Sequence, residues 1–183
     1  MDKKDLILAV ICGLSVAWIA NDFLNKYGWV FFVVLPALAV AGLLLCDIMG
    51  KRYLFIRQAG KFVLAGAFTG VIDIRVFQLL FLVIPIPLLL KAVSFIIATL
   101  VKYYSDKHWT FEKHENEGVN REIAYFFLVA VAGLAINVVS FYFFSMIRVG
   151  ISLKLWTELS IILAALTSAT WNFCGYKFIV FKK

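Results

Sequence analysis

The run FVLAGAFTGVIDIRVFQLLFLVI, residues 62–84, decides the fold. As an α-helix it would extend about 35 Å, enough to cross a hydrocarbon core of ~30 Å. Only Asp73 and Arg75 carry charge in it. Five further runs lie on either side, at 6–24, 28–49, 88–104, 123–147 and 155–178. The composition agrees. Hydrophobic residues make up 63% of the 183 and charged residues 16%, with a mean hydropathy of +0.94. Soluble domains are ~45–50% apolar and ~25% charged, so a water-soluble globule is excluded. The sequence predicts an all-α membrane protein of about six transmembrane helices. The start, MDKKDLILAV, has the basic residues and apolar core of a signal peptide but no convincing cleavage site, so it is read as a retained first span.

The formal net charge is +7, from 18 Lys+Arg and 11 Asp+Glu. The basic residues fall mainly in short segments between apolar runs. There is no continuous basic stripe or RNA-binding motif, which argues against nucleic acid as a partner. Thirteen Lys and Arg lie on the side of the two termini, against Lys26, Arg148 and Lys154 on the other, with Lys91 at that edge. Basic residues stay inside, so both termini are expected in the cytoplasm and the protein in the cytoplasmic (inner) membrane. Cys12, Cys46 and Cys174 are scattered in apolar runs and set out neither a disulfide framework nor a metal site. Neither a nucleophile–base pair nor a phosphate-binding glycine loop is present, so the chain is read as a non-enzyme without cofactor or metal. His108 and His114 sit among charged neighbours in the longest hydrophilic segment, 107–122.

Two exits from the membrane look alike, VKYYSDKHWTF at 101–111 and WNFCGYKFIVF at 171–181. Lys61-Phe62 and Asp73 correspond in the same way to Tyr125-Phe126 and Asn137. Spans 3–4 and 5–6 therefore read as two parallel helix-pair repeats, a four-helix core at 59–183 preceded by a transmembrane hairpin at 1–58. Helical spacing gives each core helix a small, polar stripe. These are Gly66, Gly70, Asp73 and Phe77; Lys91, Ser94, Ala98, Lys102 and Ser105; Ala130, Gly133, Asn137 and Ser140; and Glu158, Ala165, Ser168 or Ala169, Asn172 and Tyr176. The two glycines of the first stripe have the spacing that brings membrane helices close.

A charge at mid-membrane costs about 2.5–3.5 kcal/mol on the insertion scale. Asp73 and Arg75 lie roughly 16–20 Å into span 3 and point to different faces, so each needs a partner beyond its own helix. For Asp73 the alternatives are a substrate contact or a hydrogen bond to a neighbouring helix. For Arg75 they are a functional role, or snorkelling or pairing at a subunit interface. Lys61, Lys102, Lys107 and Lys177 gather at the cytoplasmic mouths. They read either as anchors for anionic lipid or as ammonium groups converging on a lipid phosphate. Lys102 and Asp106 could also pair at i,i+4. Trp109 and Phe111 read as interface-belt aromatics.

From about Lys61 to Phe181 the chain resembles the GtrA-like family. The resemblance rests on Lys61-Phe62 with Gly66, Gly70 and Asp73, on Trp109-Thr110-Phe111 closing span 4, and on Asn172-Phe173 through Lys177 to Val180-Phe181 closing span 6. Members usually have four spans, so the first ~58 residues would be an addition. The resemblance implies flipping of a polyprenyl-phosphate-linked sugar, or of polyprenyl phosphate, in cell-surface polysaccharide synthesis. The stripes, the mid-membrane charges and the inner-end lysines together give the expected substrate-binding set, Lys61, Asp73, Arg75, Lys102, Lys107, Asn137, Asn172 and Lys177. A homodimer would enclose the path. The alternative it implies is a non-transporting partner of a GT-A-type glycosyltransferase, docked through the 107–122 segment. A proton-coupled cation exporter built on Asp73 ranks last, because Arg75 and Lys91 disfavour cations. Many relatives carry asparagines at the end of span 4, where this chain has Lys102-Tyr103 and Asp106-Lys107.

Overall fold

The computed structural model describes residues 1–23, 28–83, 86–113, 115, 118–147 and 152–182. Among them are six helices and no strand. The helices are α1 (Lys3–Phe23), α2 (Gly28–Gly50), α3 (Leu54–Phe81), α4 (Pro87–Ser105), α5 (Val119–Met146) and α6 (Leu153–Gly175). All six are long and apolar enough to cross a membrane. Lys26, Arg148, His114 and Lys183 lie outside the described residues, as do Ile84 and Pro85 of the turn before α4.

The sequence-predicted spans are all present, with two differences at their ends. Helix α3 begins at Leu54, eight residues before the apolar run, and α5 begins at Val119. The extra turns of α3 carry Arg57 and Lys61, whose charges are matched by carboxylates, so polar sequence here remains helical. Secondly, α4 and α6 do not stop where hydropathy falls. Each continues as a five-residue π-helical segment, Asp106–Thr110 and Tyr176–Val180. Both segments close in the same way: the Phe111 N–H donates to the Asp106 carbonyl at 2.8 Å, and the Phe181 N–H to the Tyr176 carbonyl at 2.7 Å.

The chain forms two compact units, Met1–His114 and Glu115–Lys183. In the first, α3 packs on α1, α2, α4 and the π-helical exit of α4. Ala9, Cys12, Leu43, Ala65 and Trp109 form its apolar core. At Gly13 a Cβ would lie 2.4 Å from Pro36 Cα, so α1 and α2 meet backbone to backbone there and only glycine fits. In the second unit, α5 packs on α6 and its π-helical exit. Large apolar side chains such as Trp29, Leu82 and Leu88 are exposed. Lipid-facing helix surfaces need no polar cover, since acyl chains are as apolar as leucine.

Candidate functional site

In the first unit the charged residues form three groups along α3 and α4. The first is centred on Asp5, which α1 carries into the protein, where it is 3% exposed. Its carboxylate accepts from Trp109 Nε1 at 2.9 Å and from an Arg57 guanidinium nitrogen at 3.0 Å. Lys61 Nζ lies 2.9 Å from Asp5 and 2.8 Å from Glu112. Arg57 also pairs with Asp47, and so does the terminal amine of Met1. Glu112 lies beyond the end of the span, and the Lys61 ammonium holds its carboxyl below the usual glutamate range.

The second group is built on the α4 exit. Lys102 Nζ donates to Asp106 Oδ1 at 2.9 Å and to the Phe62 carbonyl at 3.0 Å, and lies 3.8 Å from the centre of the Phe62 ring. Thr110 Oγ1 donates to the same Asp106 oxygen at 2.9 Å. Asp106 is fully buried, yet its Oδ2 accepts no hydrogen bond among the described residues. Lys107 is buried too, its ammonium 3.3 Å from the Tyr103 hydroxyl.

The third group lies farther along α3. Asp73 accepts from Ser94 Oγ at 2.6 Å and makes a short ion pair with Lys91. Arg75 leaves from another face to meet Asp22 at 2.7 Å, with its guanidinium carbon 4.0 Å from the centre of the Trp18 ring. Between the second and third groups stand the two glycines of α3. A Cβ on Gly66 would come no nearer than 4.0 Å to Lys102 Nζ, and one on Gly70 would meet nothing within 4 Å. Their expected role in close helix packing is therefore corrected. They leave open space along α3 from Lys102 toward Asp73.

In the second unit the glycine does pack. A Cβ on Gly133 would fall 2.1 Å from Asn172 Oδ1, and Ser168 Oγ donates to the Gly133 carbonyl at 2.7 Å. Asn172 Oδ1 is buried and accepts no hydrogen bond among the described residues. Tyr176 stacks on Phe126 with ring centres 3.9 Å apart. Lys177 lies 5.9 Å from the centre of Phe173 and 5.7 Å from that of Phe178. Aligning Phe111 with Phe181 sets Lys102 opposite Asn172, Asp106 opposite Tyr176 and Lys107 opposite Lys177.

Residues 61–182, about two-thirds of the chain, match the family model for the GtrA/DPMS transmembrane domain. The chain belongs to this family. No curated protein and no solved structure matches it. The GtrA/DPMS match begins at Lys61, so α1, α2 and the first turns of α3 lie outside it, and Asp5 reaches a matched segment from an unmatched one.

Of the predicted site residues in this GtrA/DPMS chain, Lys61, Lys102 and Lys107 lie at one end of the first unit, each engaged by side chains of that unit. Asp73 and Arg75 find separate partners, as their divergent directions required. Asn137 is half-buried on α5, and Asn172 and Lys177 close α6. Trp109 and Phe111 are 5% and 4% exposed, which corrects the reading of them as belt aromatics. The wider turn of the π-helical exit accompanies their inward placement, and Trp109 takes Asp5 as its acceptor. The α6 stripe also shifts: Ser160 and Ala164 are buried, while Glu158 and Ala165 are exposed. Sequence reasoning missed Asp5, Arg57 and Glu112. The available signal was an acidic residue inside the first turn of an apolar span, which calls for a partner.

Proposed function

We propose that this protein binds a polyprenyl-phosphate-linked sugar in the cytoplasmic membrane and carries its head group across. The family match supports the substrate class. Its chief structural support is the uncovered glycine face of α3, which has an ammonium at Lys102 and the Asp73–Lys91–Ser94 group at its two ends. A phosphate suits the ammonium end, where charge-assisted hydrogen bonds are the strong ones. Sugar hydroxyls suit the buried unpaired oxygens of Asp106 and Asn172, because buried acceptors without donors are rare. In this reading Lys102 and Lys107 receive the phosphate in the first unit, Lys177 is their counterpart in the second, and Lys61 holds the entrance in shape. The sugar passes Asp73 in the first unit, with Asn137 at the corresponding place in the second, while the polyprenyl tail stays in lipid. Arg75 contributes from a separate face of α3. The protein has both termini in the cytoplasm, acts as a homodimer without catalysis, and carries residues 1–58 as a hairpin added to a four-helix domain at 59–183.

The test is translocation in reconstituted vesicles, read as the fraction of polyprenyl-phosphate sugar reachable by an impermeant oxidant. Asp73→Ala, expressed at the wild-type level, abolishes transfer between leaflets. Full transfer by that variant removes Asp73 from the path. A second reading, a non-transporting partner of a glycosyltransferase, draws support from the inner-end lysines. Lys61 and Lys102 are already matched to carboxylates of their own chain. In that case the 107–122 segment docks the enzyme. Exchanging it breaks co-purification of the glycosyltransferase and leaves lipid binding intact.

A further inference from the structure

Asp106 sits fully buried on the exit of α4, as do Tyr103 and Thr110 on either side of it in sequence. Its Oδ1 accepts from Lys102 Nζ and from Thr110 Oγ1, while its Oδ2 accepts nothing among the described residues. Helices α3 and α4 pack against this exit, and α1 reaches it through the Asp5–Trp109 bond. The other titratable groups that these elements bring are engaged away from Asp106. On α3, Lys61 and Arg57 bind Asp5. Lys107 reaches the Tyr103 hydroxyl, the exposed His108 stacks on Tyr104, and Cys12 lies in the apolar core with Ala65 and Trp109. The ion-pair partner of Asp106 is Lys102, at 2.9 Å.

The two charges of this pair cancel. An ammonium has three protons to donate, and among the described residues two acceptors take them, the Phe62 carbonyl and Asp106 Oδ1. The third is left for the lipid phosphate assigned to Lys102 above. A sugar joined to polyprenol through a single phosphate is a diester with one negative charge. Its arrival sets one ammonium between two anions, and a buried charge without a counter-charge is costly. A carboxylate in that position gives up its charge by taking a proton. The diester is a far weaker base than the carboxylate, so the proton goes to Asp106, where Oδ2 stands open to receive it. A sugar hydroxyl at Oδ2 supplies a hydrogen bond but no charge, so it does not replace the proton.

We propose that Asp106 takes up one proton with each phosphodiester bound at Lys102, so that the head group crosses the membrane as part of a neutral complex. This rests on the substrate class proposed above and makes the carrier a proton symporter. One diester anion and one proton enter the site together, and Lys102 keeps its charge throughout. Transfer of the head group then draws on a difference in pH between the two sides of the membrane.

The test uses the full chain in detergent with geranylgeranyl phosphoglucose, a diester whose phosphate does not titrate near neutrality. Uptake of one proton makes affinity fall about tenfold per pH unit, so the wild type should bind about tenfold more weakly at about pH 8 than at about pH 7. Proton counting in weakly buffered solution should find one taken up per diester bound. The infrared difference spectrum on binding should gain the carbonyl band of a protonated carboxylic acid. Asp106→Asn, with an unchanged helical melting curve, should bind equally at both pH values and show no such band. If that variant does not fold, the wild-type proton count and band decide alone. Binding by the wild type without proton uptake, or uptake without the band, refutes the proposal and leaves the functional reading standing. So does an uptake that persists in the folded variant. Failure of the wild type to bind the diester at either pH removes both.

Discussion

Replacing Asp5 by alanine removes the one carboxylate on which Arg57, Lys61 and Trp109 converge. Deleting one member of a buried ion pair typically costs ~3–5 kcal/mol, because the other charge is left without compensation. Here the loss is partly offset. Lys61 keeps Glu112 and Arg57 keeps Asp47, although Glu112 is 54% exposed and the contact is weakened by solvent. Trp109 Nε1 keeps no other acceptor among the described residues, and an orphaned buried donor costs ~1–3 kcal/mol. The sum points to about 2–4 kcal/mol for Asp5→Ala. Asp5→Asn should lose about half of that, since its amide oxygen still accepts from Trp109. Equilibrium unfolding in mixed micelles, followed by helical circular dichroism, reads both values. A cycle with Trp109→Phe isolates the shared contact, which should appear as a coupling of about 1 kcal/mol or more. If Asp5→Ala lies within ~0.5 kcal/mol of wild type, the size of a surface substitution, Asp5 is not the buried hub of this end of the protein.

Three other outcomes follow from local geometry. Gly133→Ala drives a methyl group into Asn172 and should destabilise by about 1–3 kcal/mol, whereas Gly70→Ala enters open space and should be neutral or gain about 0.5–1 kcal/mol from helix propensity, both read in the same unfolding assay. Glu112 is held below its usual range by Lys61, so its contribution is present above the ordinary glutamate pKa and is lost as pH falls through the lowered one. Glu112→Gln should therefore reduce stability at neutral pH and converge with wild type in acid, measured as melting temperature against pH. Tyr176→Leu removes the ring that stacks on Phe126, an interaction of about 0.5–1.5 kcal/mol beyond area burial, and should lower the melting temperature more than Tyr142→Leu on an exposed face.

The spans were legible because a bilayer demands runs of fixed length, and hydropathy reports them directly. The likeness of the two exits was legible too, since Lys107 and Phe111 recur at the spacing of Lys177 and Phe181. What the pattern did not carry was pairing across long separations. Asp5 and Trp109 are 104 residues apart in sequence, and neither residue's neighbours announce the other. The start of α3 was placed late for the same reason: Arg57 and Lys61 look like a loop until their carboxylates are known. The glycines were ambiguous in kind. Gly66, Gly70 and Gly133 all sit on small-residue stripes, and only the positions of Lys102 and Asn172 separate open space from tight contact. For the proposed site, residue types could be named from the stripes and the Lys102–Asp106 pair from its i,i+4 spacing, while the neutralisation of Lys61 by Asp5 and Glu112 required coordinates.

The two widened exit turns also bear on ancestry. A π-helical turn generally marks one residue more than an α-helix has room for, and such an extra residue is tolerated where it serves a purpose. Here it stands at the same register in both helix pairs, closing on Phe111 in one and Phe181 in the other. One gain that was later copied accounts for this more simply than two separate gains. Lys102-Asp106 and Asn172-Tyr176 thus stand as two different sets of side chains on one backbone pattern.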